Sequence, residues 1–386
     1  MPLDDATRYR GASAPSVAVV GVNGHGRSHL LRALAAHAAG EVRLAAVADP
    51  RLDALPELPG GTRRHGDLAS LLEGGAPDAV VLSTPIHTHA ELATAALRAG
   101  CDVLLEKPPT ATGEEFSALL DVVAATGGRC QVGFQSLGSE AVRHVRERVA
   151  QGRVGEVTGY SAAGCWVRTR GYYRRAAWAG HRHLDGRVVA DGALTNPLAH
   201  AVATALAVAG AQRAEDVASV RTDLFHVHDI EADDTSAARV HLADGRDLLV
   251  AVTLCAAERG EPFVVVEGTA GRLTLYYAID VVVEEVPGRP PLVTRHARTD
   301  LLADLLAARE RGTALLSPLS AAGGFTRVLD AVVTGPAPRA VDPSFARRVV
   351  LPDGDERLEL TGVEGAVARA LSGRALFSEL DLPWTR

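Results

Sequence analysis

Apolar residues in the first third of the chain come in short runs, at 17–20, 44–48, 79–83, 103–105 and 130–134, interrupted only by Ser83, Gln131 and Gly133 and separated by stretches with helical spacing. A run that is apolar at every position suits a strand covered on both faces, because successive side chains point to opposite sides. Strand and helix in alternation require parallel crossovers of one hand. The pattern predicts an α/β arrangement, a doubly wound parallel sheet over 15–137, preceded by a disordered lead-in at 1–14.

The texture changes after Gln135. A charged helix is predicted over 139–151, followed by strand-like segments near 155–166, 217–227, 235–242, 247–257, 263–267 and 272–285. Several alternate apolar with polar positions, as Val240-His241-Leu242-Ala243 does, and Asp244-Gly245 and Ala270-Gly271 are turn pairs. These features predict an α+β domain over 138–386 with a large, mostly antiparallel open sheet. Helical spacing returns at 301–311, 321–333 and 362–370. The apolar stretch 193–210 reads as a helix buried in protein, since Thr195, Asn196, Pro197, His200 and Thr204 interrupt it too often for a membrane span.

Composition narrows the functional classes. A chain of 386 residues, 47% hydrophobic, can bury a large core and is expected to form two domains. Its formal charge of -7, with acids and bases well mixed, offers no basic face for a nucleic acid. Cys101, Cys130, Cys165 and Cys255 are scattered without Cys-x-x-Cys spacing, which argues against structural zinc or a disulfide framework and fits a reducing cytoplasm. Residues 1–10 lack the basic-then-apolar order of a secretory signal, so no export is expected.

The first candidate site is Val20-Gly21-Val22-Asn23-Gly24-His25-Gly26-Arg27, a strand end, a glycine-rich turn and a helix start. Small residues there let the backbone approach a pyrophosphate lying at the positive end of the helix. Asn23 takes the place of the middle glycine in G-x-G-x-x-G, and asparagine tolerates left-handed backbone better than most residues. Asp49, 23 residues after Gly26, stands where an acid accepts hydrogen bonds from the adenosine ribose, which favours NAD. Arg51 suits a 2′-phosphate instead, so NADP stays open. Thr84, Pro85, His87 and His89 follow the middle strand in a turn able to line the far side of the cofactor.

His87 and His89 share their spacing with His181 and His183, and with His226 and His228. No cysteine or carboxylate is placed nearby to complete a ligand set, so half-solvated strand faces are expected rather than a metal. Val103-Leu104-Leu105-Glu106-Lys107-Pro108 sets a carboxylate and an amine at the carboxyl end of a buried strand, where open α/β sheets bind ligands. An ordinary ion pair opening a solvated loop is the alternative. His200 is an imidazole in an otherwise apolar helix, with Asn196 four residues earlier on the same face. Followed by Pro197, Asn196 also has the pattern of a helix N-cap. Tyr172, Tyr173, Arg175, Trp178 and His181 form an aromatic and guanidinium-rich loop that suits a polyhydroxylated ring or simply caps the sheet.

Four segments, in order and spacing, carry a family resemblance: Ser83-Thr84-Pro85-x-His87-Thr88-His89-Ala90-Glu91-Leu92-Ala93, Ala96-Leu97-Arg98-Ala99-Gly100, Leu105-Glu106-Lys107-Pro108-Pro109 and Val132-Gly133-Phe134-Gln135. The chain resembles the glucose-fructose oxidoreductase, inositol dehydrogenase and rhizopine catabolism (Gfo/Idh/MocA) family over residues 17–384. The resemblance implies an NAD(P)-dependent dehydrogenase acting on CH-OH donors, with a Rossmann domain holding the cofactor and a sugar, sugar derivative, glycoside or cyclitol between it and the second domain. Cofactor contacts are implied at Gly21, Asn23, Gly24, His25, Gly26 and Arg27, at Asp49, Arg51, Thr84, Pro85, His87 and His89, and at Glu106, Lys107 and Gln135.

Lys107 would contact the reacting hydroxyl and orient the nicotinamide, and His200 would accept the proton. Asn196 falls on the family's aspartate but cannot ionise, so it cannot raise the basicity of an imidazole, and Asp191 is the candidate to compensate. Leu198 replaces the motif glycine, and Asp191-Gly192 replaces a Gly-Gly pair. Substrate contacts are implied at Lys107, Tyr172, Tyr173, Arg175, Trp178, His181, Asn196 and His200. Two other functions stay open: a redox-neutral enzyme that retains NAD, and a non-catalytic dinucleotide sensor. Dimers or tetramers through the open sheet are implied as well.

Overall fold

A computed structural model describes residues 14–53 and 55–386; nearly all of the expected lead-in and Ala54 lie outside the described residues. The chain divides into two compact units. Unit 1 holds residues up to Thr110, Glu114–Gly133 and Asp300–Leu319, and unit 2 holds Ala111–Gly113, Phe134–Thr299 and Ser320–Arg386.

Unit 1 is laid down as β1 (Ser16–Val20), α1 (Gly26–Ala38), β2 (Arg43–Ala48), β3 (Arg63–His65), α2 (Leu68–Glu73), β4 (Ala79–Leu82), α3 (His89–Arg98), β5 (Asp102–Leu105), α4 (Gly113–Thr126) and β6 (Cys130–Val132). Its six strands lie in the order β3-β2-β1-β4-β5-β6, all parallel. β1, β4, β5 and β6 are buried at every position, which is why they read as largely apolar runs, with Ser16, Asp102 and Gln131 the buried exceptions. The register pairs Val20 with Leu82 and Leu82 with Leu105, so Gly21, Ser83 and Glu106 leave the sheet together at its carboxyl edge. Loops at that edge are where such sheets bind ligands.

Unit 2 begins with α5 (Glu140–Ala150), capped by the Ser139 hydroxyl accepting from the Ala141 amide at 3.2 Å. Then come β7 (Val157–Cys165), α6 (Arg170–Tyr173), the short pair β8 (His183–Leu184) and β9 (Arg187–Val188), and α7 (Ala199–Ala209). They are followed by β10 (Val217–His226), β11 (Thr235–Leu242), β12 (Asp247–Thr253), β13 (Phe263–Gly268), β14 (Gly271–Tyr276), β15 (Val281–Glu285) and β16 (Leu292–Arg295).

The chain then returns to unit 1 as α8 (Leu301–Arg311), although its helical pattern was expected with the second domain. Asp300 caps α8 by accepting from the Leu302 and Ala303 amides at 2.9 and 3.1 Å. Leu301, Leu302, Leu305 and Leu306 join the core that contains Leu44, Val81 and Leu104, and Arg309 pairs with Asp78 and Asp102, each at 3.0 Å. Unit 2 closes with α9 (Gly323–Thr334), β17 (Arg339–Ala340), β18 (Ala346–Val350), β19 (Glu356–Leu360) and α10 (Val363–Gly373).

The large sheet has nine strands in the order β16-β15-β14-β13-β7-β12-β11-β10-β17. It is mostly antiparallel, with parallel pairing of β7 with β12 and of β10 with β17. Phe225, Phe377 and Trp384 are buried together in its core, with Trp384 5.2 Å from each of the other two ring centroids. Three expectations are revised. The segment 272–285 is two strands turning at Asp280, whose φ is +58°; β3, β8, β9 and β16 to β19 appear where no strand was expected; and the helix expected over 193–210 starts only at Ala199. Among the described residues, no helix is long and apolar enough to cross a membrane.

Candidate functional site

In unit 1 the glycine turn is held by close backbone contacts. Gly21 has φ +78°, and a Cβ on it would lie 2.3 Å from the Ser83 carbonyl oxygen; one on Gly26 would lie 1.7 Å from that of Gly21. Neither position admits a side chain. Gly24, with φ +55°, has open space where a Cβ would point, so Gly21 and Gly24, and not Asn23, take the left-handed positions of this turn. Asn23 instead donates its side-chain amide to the Arg51 carbonyl at 2.8 Å. Asp49 is buried and accepts from the amides of Val22 and Arg51, both at 2.9 Å, so the acid at the end of β2 also fixes the turn. The first turn of α1 itself carries no acidic residue.

Glu106 and Lys107 diverge at the end of β5. Glu106 is buried and takes a 2.7 Å hydrogen bond from His29 Nε2, has His25 Nε2 at 3.6 Å, and accepts from the Lys107 amide at 3.1 Å. Burial alone would raise this carboxyl, but the hydrogen bonds from His25 and His29 and their charge hold it well below the usual carboxylate range. Two imidazoles, those of His25 and His29, are thus brought against Glu106 from the start of α1.

In the loop after β4, Thr88 donates to the Thr84 hydroxyl at 2.7 Å, and Pro85 precedes the short turn that contains His87. His89, expected to line the cofactor, is buried with each ring nitrogen 2.8 Å from a backbone carbonyl, those of Pro108 and Thr84. It braces the Lys107-Pro108 segment against the Thr84 turn, and burial holds its pKa below the usual histidine value.

In unit 2 His200 sits in the first turn of α7, half-buried on an otherwise buried helix. Its Nδ1 lies 3.4 Å from the Ser136 hydroxyl, which in turn accepts from Thr204 at 2.8 Å, and the Phe134 ring meets it edge-on at 5.9 Å. Ser136 belongs to the short turn Gln135–Gly138, which also carries Gln135. Asn196 precedes α7, so the expected shared helix face with His200 does not form; nor does Asn196 cap the helix, whose N-cap is Leu198. The Asn196 amide donates to Asp191. Asp191 is buried and also accepts from the Gly180 amide at 2.8 Å and from Arg175, 3.1 Å from both its oxygens. Arg175 in turn stacks over Tyr172 at 3.7 Å and Trp178 at 4.5 Å. The aromatic loop is thus organised around one buried carboxylate, while His181 leaves it to approach Glu231 at 3.4 Å.

The family model described as the oxidoreductase family with an NAD-binding Rossmann fold matches residues 16–134, and the one described as the GFO/IDH/MocA C-terminal domain matches residues 142–274. The chain belongs to the GFO/IDH/MocA family.

Among family members, the inositol 2-dehydrogenase of Rhizobium meliloti is 35% identical over 138 residues, 36% of this chain and 42% of the relative. The D-glucoside 3-dehydrogenase of Escherichia coli is 32% identical over 120 residues, 30% of this chain and 34% of the relative. These alignments span less than half of either relative. Among solved structures, KijD10, a 3-ketoreductase from Actinomadura kijaniata in complex with NADP and TDP-benzene, matches 85% of this chain and 100% of its own at TM-score 0.70 and 23% identity. The WlbA dehydrogenase of Bordetella pertussis, in complex with NADH and UDP-GlcNAcA, matches 83% and 96% at TM-score 0.68 and 22% identity. Both likenesses show the fold.

The family's NAD-binding Rossmann fold agrees with the crowded turn at Gly21 and Gly26, the open position at Gly24 and the acid at Asp49. Three residues were missed from sequence: His29, Ser136 and Thr204. His29 follows Gly26 by three residues and could have been found as a second imidazole on the first turns of α1; Ser136 and Thr204 carry no sequence signal, since only the fold brings them to His200. Two donor clusters also form that were not expected. His25, His29 and Glu106 converge, as do His228, Asp234 and Cys255, each set with its donor atoms within 4.8 Å. The carboxylate and thiol thought to be missing near His228 are supplied by the start of β11 and the residues after β12.

Proposed function

We propose that this chain is a dehydrogenase that oxidises a secondary hydroxyl of a sugar, sugar derivative, glycoside or cyclitol, with NAD as the favoured acceptor and NADP as the alternative. The observation that carries the reading is the step at the end of β5: Glu106 turns inward to His29 while Lys107 follows it at the carboxyl edge of a dinucleotide-binding sheet. The named activities of the inositol and glucoside relatives support the substrate class.

When bound, the nicotinamide supplies the acceptor for the two electrons that leave the carbinol carbon as hydride. The Lys107 ammonium donates to the substrate oxygen and stabilises the negative charge that develops there. His200 removes the hydroxyl proton at Nε2, in the tautomer that directs Nδ1–H at the Ser136 hydroxyl. Ser136, held by Thr204, thereby does for the ring what a carboxylate would do more strongly. Asp191, neutralised by Arg175, keeps Asn196 and the Tyr172-Trp178 loop in place. We further propose that two or more copies associate through the large sheet of unit 2.

A panel of myo-inositol, D-glucose, methyl glucosides and cellobiose with NAD and with NADP, followed by absorbance of the reduced cofactor, tests the reading. Lys107→Ala is expected to lower kcat/KM by about a thousandfold on any substrate found. Undiminished turnover in that variant would sink the mechanism.

A further inference from the structure

Unit 2 contains a cleft of about 560 Å³ whose lining includes Tyr173, Ala179, Ile230 and His228, with Arg174 and Glu231 at its rim. That volume lies within the usual range for small-molecule sites. Two of the residues lining it carry a buried polar atom with no hydrogen-bond partner among the described residues: the Tyr173 hydroxyl and His228 Nε2. His228 is only 2% exposed, and its ring lies 4.9 Å from that of Tyr173. Buried groups of this kind are normally paired, and leaving one unpaired costs about 1–3 kcal/mol, so two on one cleft call for an explanation.

The surroundings set the chemistry of both atoms. Asp234 accepts from the amides of Val227 and His228, at 3.0 and 2.9 Å, and lies 3.0 Å from His228 Nδ1. A carboxylate so placed draws the ring proton to Nδ1, leaving Nε2 as an acceptor. Cys255 Sγ lies 3.5 Å from the same Nδ1, and burial, then Asp234, pushes its thiol well above the usual value. Asp234, His228 and Cys255 thus satisfy one another as a hydrogen-bonded support for the ring. The Tyr173 hydroxyl, raised by burial and by Asp234, stays protonated and remains a donor. One donor and one acceptor, side by side against the apolar surface of Tyr173, Ala179 and Ile230, match a ring carrying hydroxyls. The lining carries two arginines, Arg170 and Arg174, and two acids, Asp229 and Glu231, and Arg170 already pairs with Glu356 at 3.0 Å, which favours a neutral ligand over an anion.

We propose that this cleft is a second binding site for a neutral polyhydroxylated ring, a sugar or cyclitol, with His228 Nε2 accepting from one ligand hydroxyl and the Tyr173 hydroxyl donating to the same or the adjacent oxygen. The site lies wholly in unit 2, and its lining includes Tyr173 and His181, two of the residues implied above as substrate contacts, but not His200.

Saturation-transfer NMR on the full chain, without cofactor, with D-glucose, methyl β-D-glucoside, myo-inositol and cellobiose tests it. At least one of the four is expected to bind the wild type and His200→Ala alike, and to bind Tyr173→Phe and His228→Gln about tenfold more weakly. Because Tyr173→Phe removes an unpaired buried hydroxyl, it is also expected to keep or raise the melting temperature, so its loss of binding cannot be a folding failure. Absence of binding by all four sugars, wild-type affinity in Tyr173→Phe, or loss of binding in His200→Ala would each overturn the proposal. Failure of the dehydrogenase reading alone would leave the binding intact and show only as absent cofactor reduction.

Discussion

His29 Nε2 and Glu106 Oε1 stand 2.7 Å apart with both side chains buried, tying the second turn of α1 to the end of β5. Because the folded pKa of Glu106 is depressed, its contribution to stability is complete above the ordinary carboxylate value of about 4.3 and is lost as pH falls through the folded value. Glu106→Gln is expected to cost about 1–3 kcal/mol at neutral pH and to flatten the loss of stability in acid. Guanidinium unfolding at neutral and acid pH measures both; identical curves for the two proteins would refute the assignment.

Gly26→Ala places a methyl group 1.7 Å from the Gly21 carbonyl oxygen, a contact no side-chain rotation relieves. The turn must open, and a destabilisation of more than about 2 kcal/mol is expected, together with loss of NAD binding. Gly24→Ala, where a Cβ meets nothing, keeps the packing and strains only the left-handed backbone, by roughly 1 kcal/mol. Thermal unfolding and NAD titration of the pair separate packing from backbone conformation.

Ser136→Ala removes the hydroxyl that stands 3.4 Å from His200 Nδ1. As a positioning change it is expected to lower kcat about tenfold with little change in KM, and to move the acid limb of the pH profile. Thr204→Val, which removes the donor to Ser136, should shift the same limb by less. A pH profile unmoved in both variants would show that Ser136 does not orient the ring.

Arg175→Met leaves the fully buried Asp191 carboxylate, among the described residues, with the Gly180 amide and Asn196 as its hydrogen-bond partners. A loss of about 2 kcal/mol is expected, reduced in the double variant Arg175→Met/Asp191→Asn, because the stranded charge causes most of the cost. Strict additivity in chemical denaturation would argue against the coupling.

The parallel sheet was legible because strands buried on both faces leave largely apolar runs, and the glycine turn because Gly21 and Gly26 permit no other residue. β3, β17 and β18 were not, since they are short or polar and their pairing is imposed by neighbours distant in sequence. At the candidate site, Glu106 and Lys107 stood out by position, yet the inward partner of Glu106 lies 77 residues away on α1. Asn196 misled because helical spacing continues through 192–198, where the backbone forms successive turns before α7 begins. The grouping of His228 with Asp234 and Cys255 depends on adjacent strands that no local pattern announces.

The return of α8 to unit 1 has a consequence for synthesis on the ribosome. Leu44, Val81 and Leu104 emerge early, but Leu301, Leu302, Leu305 and Leu306, which complete their core, follow only after most of unit 2 has been translated. It follows that the nascent amino-terminal sheet carries an uncovered apolar surface for most of elongation, a window in which chaperones rather than the chain itself must guard it.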